Sequence, residues 1–166
     1  MGSMAQWNDE PRPPGPAVVV DIDGVLSDAA GRQHFLHNDR GVRDWRGFFG
    51  AVGSDPPLPA TRALLELLPD SVVVVLLSAR PNWVFERTVD WLHRHGIRWD
   101  LLVMRGDGAL AAAAEFKRDV VRQLVAQGFE IRFAFDDDQR TVDMFLAEGI
   151  PAMYVHSGYY AEQRPT

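Results

Sequence analysis

Five short apolar runs, at residues 17–22, 71–77, 101–104, 130–135 and 151–155, punctuate this chain and alternate with segments of helical period. The first two are nearly uninterrupted and rich in β-branched residues, as in Ala17-Val18-Val19-Val20 and Val72-Val73-Val74-Val75. Such runs mark strands buried on both faces. Pro151 assigns the last run to a sheet edge. Between the runs, Leu64, Leu65 and Leu68 follow Pro59 at helical spacing, and a helix over 81–95 carries Val84, Val89, Trp91 and Leu92 ahead of Gly96. Further helices are expected over 111–127, stopped by Gly128, and over 141–148, stopped by Gly149. Strand–helix alternation of this kind predicts a three-layer α/β domain, with a parallel sheet covered on both faces. In such sheets ligands bind beyond the carboxyl ends of the strands. The chemistry therefore belongs to the residues just after each run.

The 166 residues suit one domain, expected over 17–160. Residues 1–16 hold Pro11, Pro13, Pro14 and Pro16 and read as a disordered tail, with a cloning scar at 1–3 before Met4. Residues 161–166 read as a second tail. The absence of cysteine excludes disulfides, thiolate zinc sites and cysteine nucleophiles. No apolar run is long enough to cross a bilayer and no leader is visible, so a cytoplasmic location away from membranes is expected. The formal net charge of -6 argues against a protein that grips duplex nucleic acid along its length. Lys117 is the only lysine among 17 basic residues.

Four groups fall at strand ends or on an adjoining helix. Asp21 and Asp23 close the first run, and if strand geometry persists they point the same way, which calls for a cation between them. Gly24 lets the chain turn and bring its backbone close to a ligand, although Asp-Gly after a strand is also an ordinary turn. Asp136-Asp137-Asp138 closes the fourth run; helix capping accounts for one of these acids, and a metal for the others. Ser78 and the start of the next helix make an anion site, to which Arg80 adds a bidentate phosphate contact. Lys117 lies on the helix before the fourth run. His34 and His37 sit in a glycine-flanked loop, a poor setting for a metal pair. Trp45, Phe48 and Phe49 share helical spacing that suits core packing or the stacking of a substrate base.

This order of acid pair, serine, lysine and acidic cluster resembles the four motifs of the haloacid dehalogenase (HAD) superfamily, over essentially residues 17–155. Within it, the chain is similar to the phosphatase domain of polynucleotide kinase-phosphatases. The resembling stretches are Ser78-Ala79-Arg80-Pro81, Thr88-Val89-Asp90-Trp91-Leu92, Val103-Met104-Arg105-Gly106-Asp107 and Phe135-Asp136-Asp137-Asp138, followed by Val142-Asp143-Met144. Two stretches depart from that pattern. Residues 109–114 are apolar where the relatives are charged, and Asp138 stands where they often carry arginine.

The resemblance implies a Rossmann-like HAD fold and a phosphomonoesterase. Asp21 would be the covalent nucleophile and Asp23 the general acid and base. Ser78 and Lys117 would neutralise the transferring oxygens, while Gly24, Arg80 and Arg105 would contact substrate. Mg²⁺ would be held by the Asp21 and Asp136 carboxylates and the Asp23 carbonyl, with Asp137 in support. A nucleic-acid 3′ end is one implied substrate; a nucleotide or small phosphometabolite is the alternative. Two readings from other classes compete. A receiver domain uses similar residues but places its phosphoacceptor on a middle strand, whereas the run 101–104 ends in Met104-Arg105. The other is a non-catalytic binding module, against which every catalytic position is filled. No room is left for an independent cap, so an open or minimally capped cleft is expected, shielded by residues 27–54 or by a second subunit of a homo-oligomer.

Overall fold

In the computed structural model, which describes residues 2–37, 39, 41–109 and 111–160, six strands form one sheet. They are β1 (Met4–Trp7), β2 (Pro16–Val20), β3 (Val73–Pro81), β4 (Leu101–Arg105), β5 (Glu130–Asp136) and β6 (Ala152–Tyr154). Their order across the sheet is β1-β4-β3-β2-β5-β6; all neighbours are parallel except β1, which runs antiparallel to β4. The helices are α1 (Trp45–Gly50), α2 (Pro59–Glu66), α3 (Phe85–Arg94), α4 (Ala113–Ala126) and α5 (Gln139–Ala147).

The near-continuous apolar runs are explained by the two faces they serve. Val18 and Val20 of β2, with Val74 and Leu76 of β3, pack beneath Phe85, Val89, Trp91 and Leu92 of α3 and Leu65 of α2. Their alternate neighbours Ala17, Val19, Val73, Val75 and Leu77 face the opposite way, onto Val120, Val121 and Leu124 of α4 and Met144 and Phe145 of α5. Each large side chain buried this way contributes about 1.5–3 kcal/mol relative to exposure. Among the described residues both hydrophobic clusters line this sheet, and neither belongs to a separate cap. No helix among them is long and apolar enough to cross a membrane.

Three expectations need correction. The segment read as a tail supplies β1, whose backbone pairs with β4 in the register Met4↔Met104 to Trp7↔Leu101. Trp7 packs beside Phe129, and Gly2 and Met4 both hydrogen-bond to the Asn82 side chain. An edge strand of this kind needs backbone pairing on one side only, so it leaves little hydrophobic pattern to read. The expected helix over 81–95 begins only at Phe85. Pro81 instead closes β3 in extended geometry, and a 3₁₀ turn (Asn82–Val84) intervenes. The stretch around His34 is a 3₁₀ helix (Ala29–Phe35) opened by Asp28, not a loop. Met1 and residues 161–166 lie outside the described residues.

β3 and β4 lie on one side of β2, and β5 and β6 on the other. The chain thus switches direction between β2 and β5, and the crevice opened there is where an α/β sheet receives ligands. Asp21 and Asp136 stand at its rim, tied by the Asp21 N–H donating to the Phe135 carbonyl at 3.0 Å.

Candidate active site

On the α4 side of the crevice, three acids cluster, and one ammonium group bridges two of them. The alternation of β2 sends Asp21 to the face covered by α4, from which Lys117 descends. Lys117 is 3% exposed, and its Nζ donates to Asp21 Oδ1 at 2.9 Å and to Asp136 Oδ2 at 2.6 Å. The other Asp136 oxygen accepts from the Asp138 N–H at 3.0 Å. Asp138 itself caps α5 through the Arg140 N–H and pairs with the Arg140 guanidinium, so capping explains this one of the three acids. Asp137 lies against the first loop. At Gly24, whose φ is +80°, a Cβ would stand 2.1 Å from Asp137 Oδ2. Only glycine makes that approach possible.

Oxygens of Asp21, Asp136 and Asp137 lie within 4.8 Å of one another, and all three residues are buried. Among the described residues, Asp137 Oδ2 has no hydrogen-bond partner. Burial pushes the Asp21 carboxyl up to about 7, with Lys117 pulling down and Asp136 pushing further up. Burial, then the Asp21 charge, pushes Asp137 up to about 9. Lys117 is raised, because the Asp136 and Asp21 charges outweigh its own desolvation. Among the described residues, three buried carboxylates against one cation carry an excess of acid. That donor set, all oxygen with one buried atom unpartnered, fits a hard divalent cation.

The α3 side is built differently. β2 ends at Val20, and the chain turns at once, with the N–H groups of Leu26 and Ser27 both donating to the Ile22 carbonyl at 2.9 Å. Strand geometry therefore does not persist to Asp23, whose side chain turns to two arginines and not to the acidic cluster of Asp21. Asp23 Oδ1 receives Arg80 Nη2 and Arg32 Nη2, each at 2.6 Å. Behind them, Asp55 accepts Arg32 Nε at 2.8 Å and Nη2 at 2.7 Å, along with the Ser27 hydroxyl. Arg80 Nη1 donates to Thr88 Oγ1 at 3.1 Å, and Arg32 stacks over Phe48 at 4.3 Å. Burial alone would raise the Asp23 carboxyl, but Arg80 and Arg32 hold it down at about 2.

Most of the residues read from the sequence meet here: Asp21, Asp23, Ser78, Arg80, Arg105, Lys117, Asp136 and Asp137 all line one cleft of about 780 Å³. Ser78 is buried at the tip of β3, where its Oγ accepts the Arg80 N–H at 3.2 Å. Arg105 is half-buried in the wall; burial lowers its pKa, and it donates to the Ala111 carbonyl at 3.3 Å. Arg80 departs from its expected role as a substrate contact. It is 1% exposed and its guanidinium is committed to Asp23 and Thr88. Arg32 and Asp55 were missed, because an ion pair between loop residues has no spacing to betray it. Tyr159 was missed as well; it lines the cleft and its hydroxyl donates to Asp28 Oδ1 at 3.0 Å. His34 and His37 do not join the acidic cluster.

A family model described as the polynucleotide kinase (PNKP) phosphatase domain matches residues 15–160. No curated protein matches at a significant level. Among solved structures, a chain of the Pnkp1/Rnl/Hen1 RNA repair complex shares 24% identity over 90% of this chain and 45% of its own, with a TM-score of 0.72. The present chain thus spans less than half of that protein. A Class C acid phosphatase from Bacillus anthracis, solved with tungstate bound, shares 16% identity over 90% of this chain and 69% of its own, with a TM-score of 0.64. A haloacid dehalogenase-like hydrolase from Streptococcus pneumoniae shares 15% over 83% of each chain, with a TM-score of 0.55. At these identities the structural likenesses speak to the fold alone.

Proposed function

Because the chain belongs to the family of polynucleotide kinase phosphatase domains, and so is a HAD-type phosphatase, we propose that it cleaves 3′-phosphates from nucleic-acid ends through an aspartyl-phosphate on Asp21, with Mg²⁺ as its metal. The observation that carries the chemistry is the Lys117 ammonium bridging Asp21 and Asp136 beside an unpartnered Asp137 oxygen.

Asp21, Asp136 and Asp137 would hold Mg²⁺, which supplies positive charge to the phosphoryl oxygens and keeps Asp21 ionised. Lys117 fixes Oδ1 of Asp21 and leaves Oδ2 to attack phosphorus. Ser78, at the tip of β3, adds a hydroxyl donor to the same oxygens, and Lys117 adds charge. Asp23 exchanges a proton with the leaving oxygen and then with the attacking water. Arg32 and Arg80 favour its carboxylate, so the free enzyme is poised for the second of these roles. A phosphate dianion entering the cleft raises the Asp23 pKa again, because like charges disfavour ionisation. The arginines then orient the carboxyl group while it carries the proton.

The substrate assignment rests on family membership and on the absence of a cap core among the described residues: an open cleft admits a polymer end. A cytoplasmic location belongs to the same proposal. The test compares kcat/KM for a 3′-phosphorylated oligonucleotide with that for the matching 3′-mononucleotide. Preference for the oligonucleotide is expected; a clear preference for the mononucleotide makes the protein a nucleotidase instead.

A further inference from the structure

The wall of the cleft opens into a second groove of about 340 Å³, lined by Trp45, Arg46, Phe49, Trp83, Arg105 and the glycines of the loop that follows. Its volume lies within the range of small-ligand sites, about 300–1,000 Å³. Trp45, Phe49 and Arg105 line both spaces. The groove therefore adjoins the cleft that Asp21 lines.

The two tryptophans are 48% and 43% exposed, where rings of this size ordinarily go inside. They are nonetheless held in place. Asp44 caps α1 by accepting the Gly47 N–H at 2.8 Å, and Trp45 stacks on Phe49 with ring centroids 5.9 Å apart and an interplanar angle of 21°. The Trp83 N–H donates to Asp107 Oδ1 at 3.0 Å, which spends that carboxylate on the backbone. Its indole ring lies against Gly50, where an added Cβ would still stand 3.9 Å away. Arg46 sits over the Trp83 ring at 5.4 Å. Phe48, the third aromatic of α1, is buried under Arg32, so α1 divides into a core face and an outward face. In a chain of net charge -6, two guanidinium groups beside two exposed indoles form a local cationic, aromatic surface.

We propose that this groove is the nucleobase site of the phosphatase: it stacks an unpaired base of the 3′ end on Trp45 and Trp83, while Arg46 and Arg105 meet the adjoining backbone phosphate. Stacking on aromatic side chains tolerates any base sequence and requires that the base be free of a duplex. The site thus selects single-stranded or frayed ends. The assignment rests on the phosphatase reading above, and binding and turnover are measured separately to keep the two distinguishable.

Binding is measured in Asp21→Asn with a 3′-phosphorylated tetranucleotide and with the same molecule lacking its terminal base. Adding Trp83→Ala is expected to weaken binding of the base-bearing end about tenfold, with Trp83→Phe restoring most of it. The abasic end should bind both proteins alike. Trp45→Ala carries the same comparison if Trp83→Ala does not fold. Equal affinity of the base-bearing end for Asp21→Asn with and without the tryptophan substitutions overturns the proposal. If the wild-type enzyme turns over base-bearing and abasic ends equally, the phosphatase reading survives and the groove assignment fails. If it turns over neither while Asp21→Asn still discriminates between them through Trp83, the groove stands and the 3′-phosphatase reading fails.

Discussion

The two halves of the crevice bury similar numbers of acids but balance them in opposite ways. On the α3 side, Asp23 and Asp55 face Arg32 and Arg80, two charges against two, and Asp23 is pulled down to about 2. On the α4 side, Asp21, Asp136 and Asp137 face Lys117 as their one cation among the described residues, and Asp21 and Asp137 are pushed up to about 7 and 9. The first half is complete as the chain folds; the second is short of positive charge. A buried charge deficit is costly unless something fills it. The difference therefore separates a half whose buried charges are matched within the chain from a half that carries more acid than base.

The sharpest way to break this contrast is to remove Asp21, the residue proposed to attack phosphorus. Asp21→Asn should lower turnover of any phosphomonoester by on the order of 10⁴-fold while the protein folds normally. Normal turnover by the purified variant would remove the assignment of Asp21. Lys117→Met takes the bridging cation from the deficient half. A loss on the order of 10²–10³-fold in kcat is expected, as when one charge-stabilising donor is deleted, and a fall of less than tenfold would show that the bridge is structural only.

The balanced half should respond in stability. Asp55→Ala leaves Arg32 and Arg80 short of a buried counter-ion, which costs about 3–5 kcal/mol when one partner of such a pair is removed. Denaturant unfolding measures this, and a change under about 1 kcal/mol would mean that the arginines find other partners.

A smaller effect distinguishes the halves by pH. Asp21 and Asp137 have folded pKa values above their ordinary value, so metal-free protein takes up protons on folding and loses stability as pH rises from about 4 toward 7 and 9. Asp23 has the opposite sign: its contribution is present above about 4 and is lost as pH falls toward 2. In chelator, Tm should rise when pH is lowered from 8 to 6, with the unfolding free energy growing by about 1 kcal/mol per pH unit for each carboxyl that is protonated only in the folded state. Mg²⁺ should flatten the slope by holding the carboxylates ionised. A metal-free Tm that rises with pH over this interval would contradict the deficit.

How much of this was legible beforehand follows the same division. The deficient half was readable because each of its residues sits at a strand end or on the helix before one, in a fixed order along the chain. The two-faced strands gave the sheet, and the single lysine was placed near the acids, while its bridge between Asp21 and Asp136 came from the structure. The balanced half was largely hidden. The turn after Ile22 redirects Asp23, and no periodicity shows that Arg32, in a 3₁₀ helix, will meet Asp55, 23 residues later, in the core. Arg80 was read as a phosphate ligand because an arginine after a strand looks the same whether its partner is a substrate or an internal carboxylate. β1 escaped for a simpler reason: its pairing is backbone to backbone, and its side chains are mostly exposed.

The most direct measurement follows from the cation deficit itself. Phosphate release from a 3′-phosphorylated oligonucleotide is recorded after exhaustive chelation, and again as Mg²⁺ is returned. Turnover should vanish in chelator and recover with added Mg²⁺, at a higher half-saturating concentration in Asp137→Asn than in the wild type. Undiminished turnover without divalent ions would contradict the assignment of Asp21, Asp136 and Asp137 as a metal-dependent phosphoryl-transfer site.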